Sequence, residues 1–371
     1  MTMLFMKKKY QLERFFVTWL MILFMILTDA FTAFAQVKQA TFLVNGISCD
    51  LEQGILKVEF VTPDVVRVQY TGENTFIGNG TDVCLPRAVD NPVRWVYTPN
   101  PDCYLLKSDS LIVRVDLSTA SITYLDKEGG LLLQEDQNIP RISEKRVTKQ
   151  VIYDEHSKHI EKTADGDKEI KNVLRYDTIG HTWKYRINFK WQPLEALYGW
   201  GAHMEDYMNL RGKELYLCQH NLKAMVPVLN STAGYGLLFD AGCAMMFKDN
   251  SEGSFVELEA AKQIDYYFMK GKTMDAVVAN YRLLTGNSPM MPLYLFGYIQ
   301  SKERYVSSDD LINTLKEYRQ RQIPIDMIVQ DWNYWPEGQW GNMSMNPKFY
   351  PDKRKLADEI HSLHAKLMIS I

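Results

Sequence analysis

The sequence predicts a β-sandwich followed by the first part of a parallel α/β unit, and three observations lead there. From residue 40 to about 275 the chain is written in short alternating segments separated by turn residues. After about 275, helical periodicity alternates with apolar strands. With 371 residues, 46% hydrophobic and 23% charged, the chain has material for about two domains.

The first thirty-five residues read as an export leader. Lys7, Lys8, Lys9 and Arg14 precede the apolar stretch FFVTWLMILFMIL (15–27), and AFA (33–35) offers small residues where a signal peptidase requires them. Cleavage is expected before Gln36, giving an exported, periplasmic or extracellular protein. A membrane anchor is the competing reading, but the apolar run falls below the roughly 20 residues that span a bilayer. No stable anchor is therefore expected, and no Cys follows the cleavage point to carry a lipid. The five cysteines, at 49, 84, 103, 218 and 243, are odd in number and unclustered. They read as apolar structural residues with at most one or two incidental bridges, even in an oxidising compartment. There is no CxxC and no His/Cys ligand cluster, and no metal site is expected; no cofactor is expected either.

Within the sandwich segment, ILKVEFV (55–61) and VVRVQY (65–70) alternate apolar and polar residues around Pro63. LIVRVDL, SITYLD and GGLLLQE (111–135) form a meander with Gly129 and Gly130 at a corner. Such spacing indicates a β-sandwich. Residues 141–180 are rich in both charges and read as a solvated hairpin or excursion without chemistry. No internal repeat or low-complexity tract interrupts the chain.

Past about residue 275, MDAVVANYRLLTG (274–286) has helical spacing and a Gly stop, and SPMMPLYLFGYIQS opens a strand after two prolines. SSDDLINTLKEYRQRQIP offers Ser307 or Ser308 as an N-cap, two acids in the first turn, and Leu311, Ile312, Leu315 and Tyr318 on one face. The strand IDMIVQDW follows, then a Gly- and Pro-bearing loop. A second helix over DKRKLADEIHSLH turns Leu356, Ala357, Ile360 and Leu363 inward, and KLMISI closes the series. The order β-α-β-α-β implies a parallel sheet with right-handed crossovers, whose ligands bind at the carboxyl ends of the strands. Asp331 falls at such an end, as do Lys302 and Glu303. A carboxylate there serves a ligand, or caps a loop amide.

Composition narrows the partners. A formal charge of −3, a pI near 6.2 and the lack of a basic stripe give no reason to expect nucleic acid. An aromatic content of 12%, with eight Trp and twenty-one Tyr, suits a carbohydrate binder, and suits a large β-rich core equally well.

The stretch LYLFGYIQSKERYVSSDDLINTLKEYRQRQIPIDMIVQDWNYWPEGQWGNMSMNPKFYPDKRKLADEIHSLHAKLMISI closely resembles the start of the catalytic barrel of glycoside hydrolase family 31, the α-glucosidase and α-xylosidase family. Upstream, LYGWGAHMEDYMNLRGKELYLCQHNLKAMVPVLNSTAGYGLLFD (197–240) resembles the family's galactose-mutarotase-like sandwich, including its YGWG segment and GYGLLFD strand. The resemblance covers residues 40–371. It implies a galactose-mutarotase-like β-sandwich over 36–275 and the truncated start of a (β/α)8 TIM barrel over 276–371. The implied substrate is an oligosaccharide or small α-glycoside.

Residue by residue, the resemblance implies that Asp331 accepts hydrogen bonds from hydroxyls of the sugar being cleaved. A carboxylate suits vicinal hydroxyls in a partly dry pocket. Trp332 matches a neighbouring position that shapes the pocket, and Glu303 a position lining the same subsite, both variable in type. Asn221, in the stretch Gln219 to Asn221, matches a sandwich loop that reaches the pocket in relatives; a plain loop is the alternative. Trp335 and Trp340 read as stacking platforms for further sugars, or as loop cover.

Family members cleave with retention, using an aspartate nucleophile and an aspartate acid/base at the tips of later barrel strands. Neither motif is present, and residues 290–371 supply only three strands of a barrel that takes on the order of 250 residues. The catalytic pair is therefore expected downstream of Ile371, the chain being the front of a longer reading frame cut by a truncated gene or an incomplete sequence. The alternative is a non-catalytic sugar-binding protein or decayed remnant.

Overall fold

The computed structural model describes residues 36–78, 83–85, 92–163, 166–339 and 341–371. The expected leader over 1–35 and Trp340 lie outside the described residues. The chain divides into two compact units, one reaching to Gln150 with Thr178–Asn287, the other comprising Val151–Asp177 and Ser288–Ile371.

The first unit is built on two antiparallel sheets. One has eight strands, in the spatial order Val37–Phe42, Gly46–Leu51, Ile55–Thr62, Val65–Thr71, Ile264–Lys270, Tyr235–Phe239, Val228–Ser231 and Leu197–Gly199. The other has ten, and includes the expected meander Leu111–Asp116, Ile122–Asp126 and Leu131–Glu135 in consecutive antiparallel pairs. In Leu111–Asp116, Leu111, Val113 and Val115 are buried while Ile112, Arg114 and Asp116 are less so, the signature of one covered face. Inner faces of both sheets feed a single apolar cluster that contains Val58, Val68, Val113, Tyr124, Ile187, Leu237 and Phe268.

Val65–Thr71 breaks the alternation, because all seven of its residues are buried. It lies mid-sheet between Ile55–Thr62 and Ile264–Lys270. Its outer-face residue Val65 shares a second apolar cluster with Tyr267, Met269, Val277 and Leu284. Val277 and Leu284 belong to the helix Met274–Thr285, which is capped by the Thr273 side chain and stopped at Gly286, φ 88°. The sequence reading set 275/276 as the boundary and so gave this helix to the second domain. Its apolar face lies instead against the sandwich, and the division between units falls after Asn287. Residues 141–180 form the paired strands Arg141–Tyr153 and Val173–Lys190, with a small hairpin, His159–Thr163 and Gly166–Ile170, between them. Among the described residues no disulfide joins Cys49, Cys84, Cys103, Cys218 or Cys243.

In the second unit three strands run parallel, in the order Ile299–Gln300, Met327–Gln330, Lys366–Ile369. The helices Ser308–Gln320 and Lys353–Ser362 connect them. Ser307, not Ser308, caps the first helix, its Oγ accepting from Asp310 N at 3.2 Å; Asp352 caps the second, accepting from Lys355 N at 2.9 Å. Leu311, Ile312, Leu315, Leu356 and Ile360 are buried against Ile325 and Ile328. The first strand is shorter than its sequence suggests. A 3-10 turn over Leu293–Phe296 follows Pro292 and uses up much of the apolar run before pairing begins.

Candidate functional site

The central strand of the parallel sheet, Met327–Gln330, is fully buried, and its carboxyl end delivers Asp331 half-buried. The Asp331 Oδ1 atom accepts a hydrogen bond from Trp332 N at 2.8 Å. That bond fixes the carboxylate's tilt and leaves a lone pair on Oδ1 and both on Oδ2, so a loop-capping and a ligand-binding role coexist in one group. Asn333 then takes the left-handed conformation, φ 54°, and the chain turns sharply. Tyr334 is buried by this turn, and its hydroxyl donates to Ser370 O at 3.0 Å, tying the loop to the end of the third strand.

The turn gathers three aromatic side chains. The Trp332 ring lies 6.5 Å from that of Trp335 at 55°, and Tyr334 meets Trp335 edge-on at 5.4 Å. Trp335 is partly buried against the second unit's core, which favours loop cover over a platform for this residue.

The other expected residues are placed less specifically. Glu303 is exposed in the loop after the first strand. Beside it, Lys302 pairs with Asp310 at 3.3 Å and lies 4.4 Å from the centre of the Tyr305 ring. Asn221 is exposed in a tight turn of the first unit, which the Gln219 carboxamide closes by accepting from Met225 N at 2.9 Å and donating to Lys223 O at 2.5 Å.

Two residues at this strand end are missing from the expected site, Gln330 and Tyr350. Gln330 is wholly inaccessible, yet its carboxamide bonds Tyr305 O, Asp331 O and the Tyr350 hydroxyl. The signal that could have found it is a lone polar residue closing the apolar run Met327, Ile328, Val329.

A shallow cleft of about 350 Å³ in the first unit is lined by Gln192, Pro193, Leu194, Glu195, Thr232 and Ala233. Its one carboxylate, Glu195, already accepts from the Tyr235 hydroxyl at 2.8 Å and from Ser231 Oγ, so it is spent on holding the sandwich together. Among the described residues no three His, Cys, Asp or Glu side chains converge as a metal site, and no helix is long and apolar enough to cross a membrane.

Residues 55–247 match the glycosyl hydrolase 31 N-terminal galactose mutarotase-like domain, and residues 288–371 match the glycosyl hydrolases family 31 TIM-barrel domain. An alpha-xylosidase of Saccharolobus solfataricus is 28% identical over 325 residues, covering 85% of this chain and 40% of that protein. Among solved structures, a GH31 alpha-xylosidase from a soil metagenome, complexed with xylose, superposes with a TM-score of 0.69 at 22% identity, covering 90% of this chain and 47% of its own. A GH31 dextranase of Flavobacterium johnsoniae, complexed with isomaltotriose, gives a TM-score of 0.69 at 20% identity, covering 90% of this chain and 38% of its own. The chain thus spans less than half the length of each of these relatives.

Proposed function

The chain belongs to glycoside hydrolase family 31, and from that premise we propose that it is the front part of an exported, retaining, exo-acting α-glycosidase. The reaction is hydrolysis of the O-glycosidic bond of an α-glucoside or α-xyloside. In this reading the residues described here bind and orient the sugar. The covalent step falls to a nucleophile and an acid/base on later barrel strands, which the family relation implies.

The observation that carries the reading is the Asp331 carboxylate at the carboxyl end of the central parallel strand, oriented by one amide and with acceptor capacity to spare. Such a group accepts hydrogen bonds from adjacent sugar hydroxyls, and those bonds tighten as the ring moves toward its oxocarbenium-like transition state. Trp332 beside it supplies an apolar wall, and Glu303 a second polar contact. Asn221 enters the reading through the resemblance alone and is tested by its own variant.

The test is Asp331→Ala in the full-length enzyme. Two charge-assisted hydrogen bonds, at roughly 1.5–3 kcal/mol each, correspond to a fall in kcat/KM on the order of a hundredfold to ten-thousandfold with the melting temperature held. A lowered melting temperature with near-normal kinetics would make Asp331 a loop cap and remove it from the site.

A further inference from the structure

We propose that the Gln330 carboxamide and the Tyr350 hydroxyl form a buried brace that sets the position of Asp331, making both of them positioning residues for the sugar site. The proposal rests on the reading of Asp331 given above and adds to it the device that holds the carboxylate in place.

Gln330 has 0% exposure, in a place where an apolar residue would avoid the cost of desolvating a carboxamide. Its side chain is fully engaged. Nε2 donates to Tyr305 O at 3.1 Å and to Asp331 O at 2.9 Å, and Oε1 faces the Tyr350 hydroxyl at 3.0 Å. The same hydroxyl lies 2.6 Å from Tyr305 O, so its single proton is shared between two acceptors. Burial pushes the Tyr350 phenol up to about 12, which keeps it protonated as a donor across the working range of an enzyme.

These bonds join three segments that are distant in sequence. Tyr305 belongs to the loop after the first strand, Asp331 opens the loop after the second, and Tyr350 ends that loop just before the Asp352 cap. The main chain of Gln330 is held as well, since Ser370 N donates to its carbonyl at 3.0 Å. The Asp331 carbonyl is therefore clamped from inside while the Asp331 carboxylate is oriented from outside by Trp332 N. With both ends fixed, the direction of the Asp331 side chain follows from the brace. Binding groups need placement within about 0.5 Å, which loops alone supply poorly.

The experiment uses the full-length enzyme and four variants: Tyr350→Phe, which deletes one hydroxyl, Gln330→Met, which keeps volume without the carboxamide, Asp331→Ala, and the pair Tyr350→Phe with Asp331→Ala. Dissociation constants for xylose and for glucose are measured by titration calorimetry, with melting temperatures alongside. Tyr350→Phe and Gln330→Met are expected to weaken the tighter-binding sugar about tenfold, the order of one hydrogen bond. In the Asp331→Ala background, Tyr350→Phe is expected to add less than about twofold, because it acts through a carboxylate already gone. Equal weakening by Tyr350→Phe with and without Asp331 overturns the brace as a positioning device. So does a lowered melting temperature with unchanged affinity in either single variant that folds. If Asp331→Ala alone leaves affinity unchanged, the reading of the site fails first and takes the brace with it.

Discussion

Arg67 and Asp265 meet as a two-pronged ion pair buried on the outer face of the eight-stranded sheet, with Nε to Oδ1 at 2.9 Å and Nη2 to Oδ2 at 2.6 Å, although 198 residues separate them. Their side chains are 4% and 7% exposed, and Gln69 Nε2 adds a bond to Oδ2 at 2.8 Å. Removing one partner leaves the other's charge buried and unpaired. Asp265→Ala is expected to cost about 3–5 kcal/mol, while replacing both partners with apolar residues of similar volume is expected to cost less, about 1–3 kcal/mol for the Gln69 amide left without its acceptor. Urea denaturation of the three proteins checks this; a loss below about 1 kcal/mol for the single variant would make the pair dispensable.

Glu73 is expected to contribute to acid sensitivity. Its carboxylate accepts from Trp183 Nε1 at 2.9 Å and sits 2.9 Å from His181 Nε2 and 3.3 Å from Lys145 Nζ. The Trp183 bond, followed by those to His181 and Lys145, holds its carboxyl down at about 2 against an ordinary 4.5. A depressed folded value means that the stabilisation is present above 4.5 and lost as pH falls toward 2. The melting temperature of the wild type is expected to fall more steeply over that interval than that of Glu73→Gln, and parallel curves would rule Glu73 out as the cause.

Gly199, Trp200 and Gly201 form a run of positive φ angles, 130°, 63° and 89°. Trp200 is buried against Phe239 and Phe247, so the turn is anchored by packing. A Cβ on Gly201 would stand 1.9 Å from Ala224 O, the atom that accepts from Ala202 N where the loop's two stems meet. Gly201→Ala is expected to cost about 1–3 kcal/mol in backbone strain, with protease cleavage appearing between residues 202 and 224 before the rest of the sandwich is cut. Stability unchanged from wild type would count against the strained turn.

Export predicts a defined new terminus. Mass spectrometry of the secreted protein is expected to find a polypeptide beginning at Gln36, and a product that keeps Met1 and stays in the cytoplasm would remove the export reading.

Much of the fold was legible because it is written in short-range patterns. Alternation gives the strands of the meander, and the apolar stripes, with a serine cap at 307 or 308 for the first, give the two helices of the second unit. Position at the end of an apolar strand singled out Asp331 for the same reason. What stayed hidden depends on partners far away in sequence. The helix Met274–Thr285 reads identically whichever unit it joins, and only the match of Val277 and Leu284 to Val65 and Tyr267 assigns it to the sandwich.

The sequence by itself determined the periodicity of each element, the order in which they follow, and the residue that stands at the end of the central strand. The tertiary structure alone decided which polar side chains are satisfied once buried. Gln330 and Arg67 are unfavourable in a core until Tyr350 and Asp265 arrive from 20 and 198 residues away. Desolvation is a property of the folded interior, so no local pattern announces which residue will offset it.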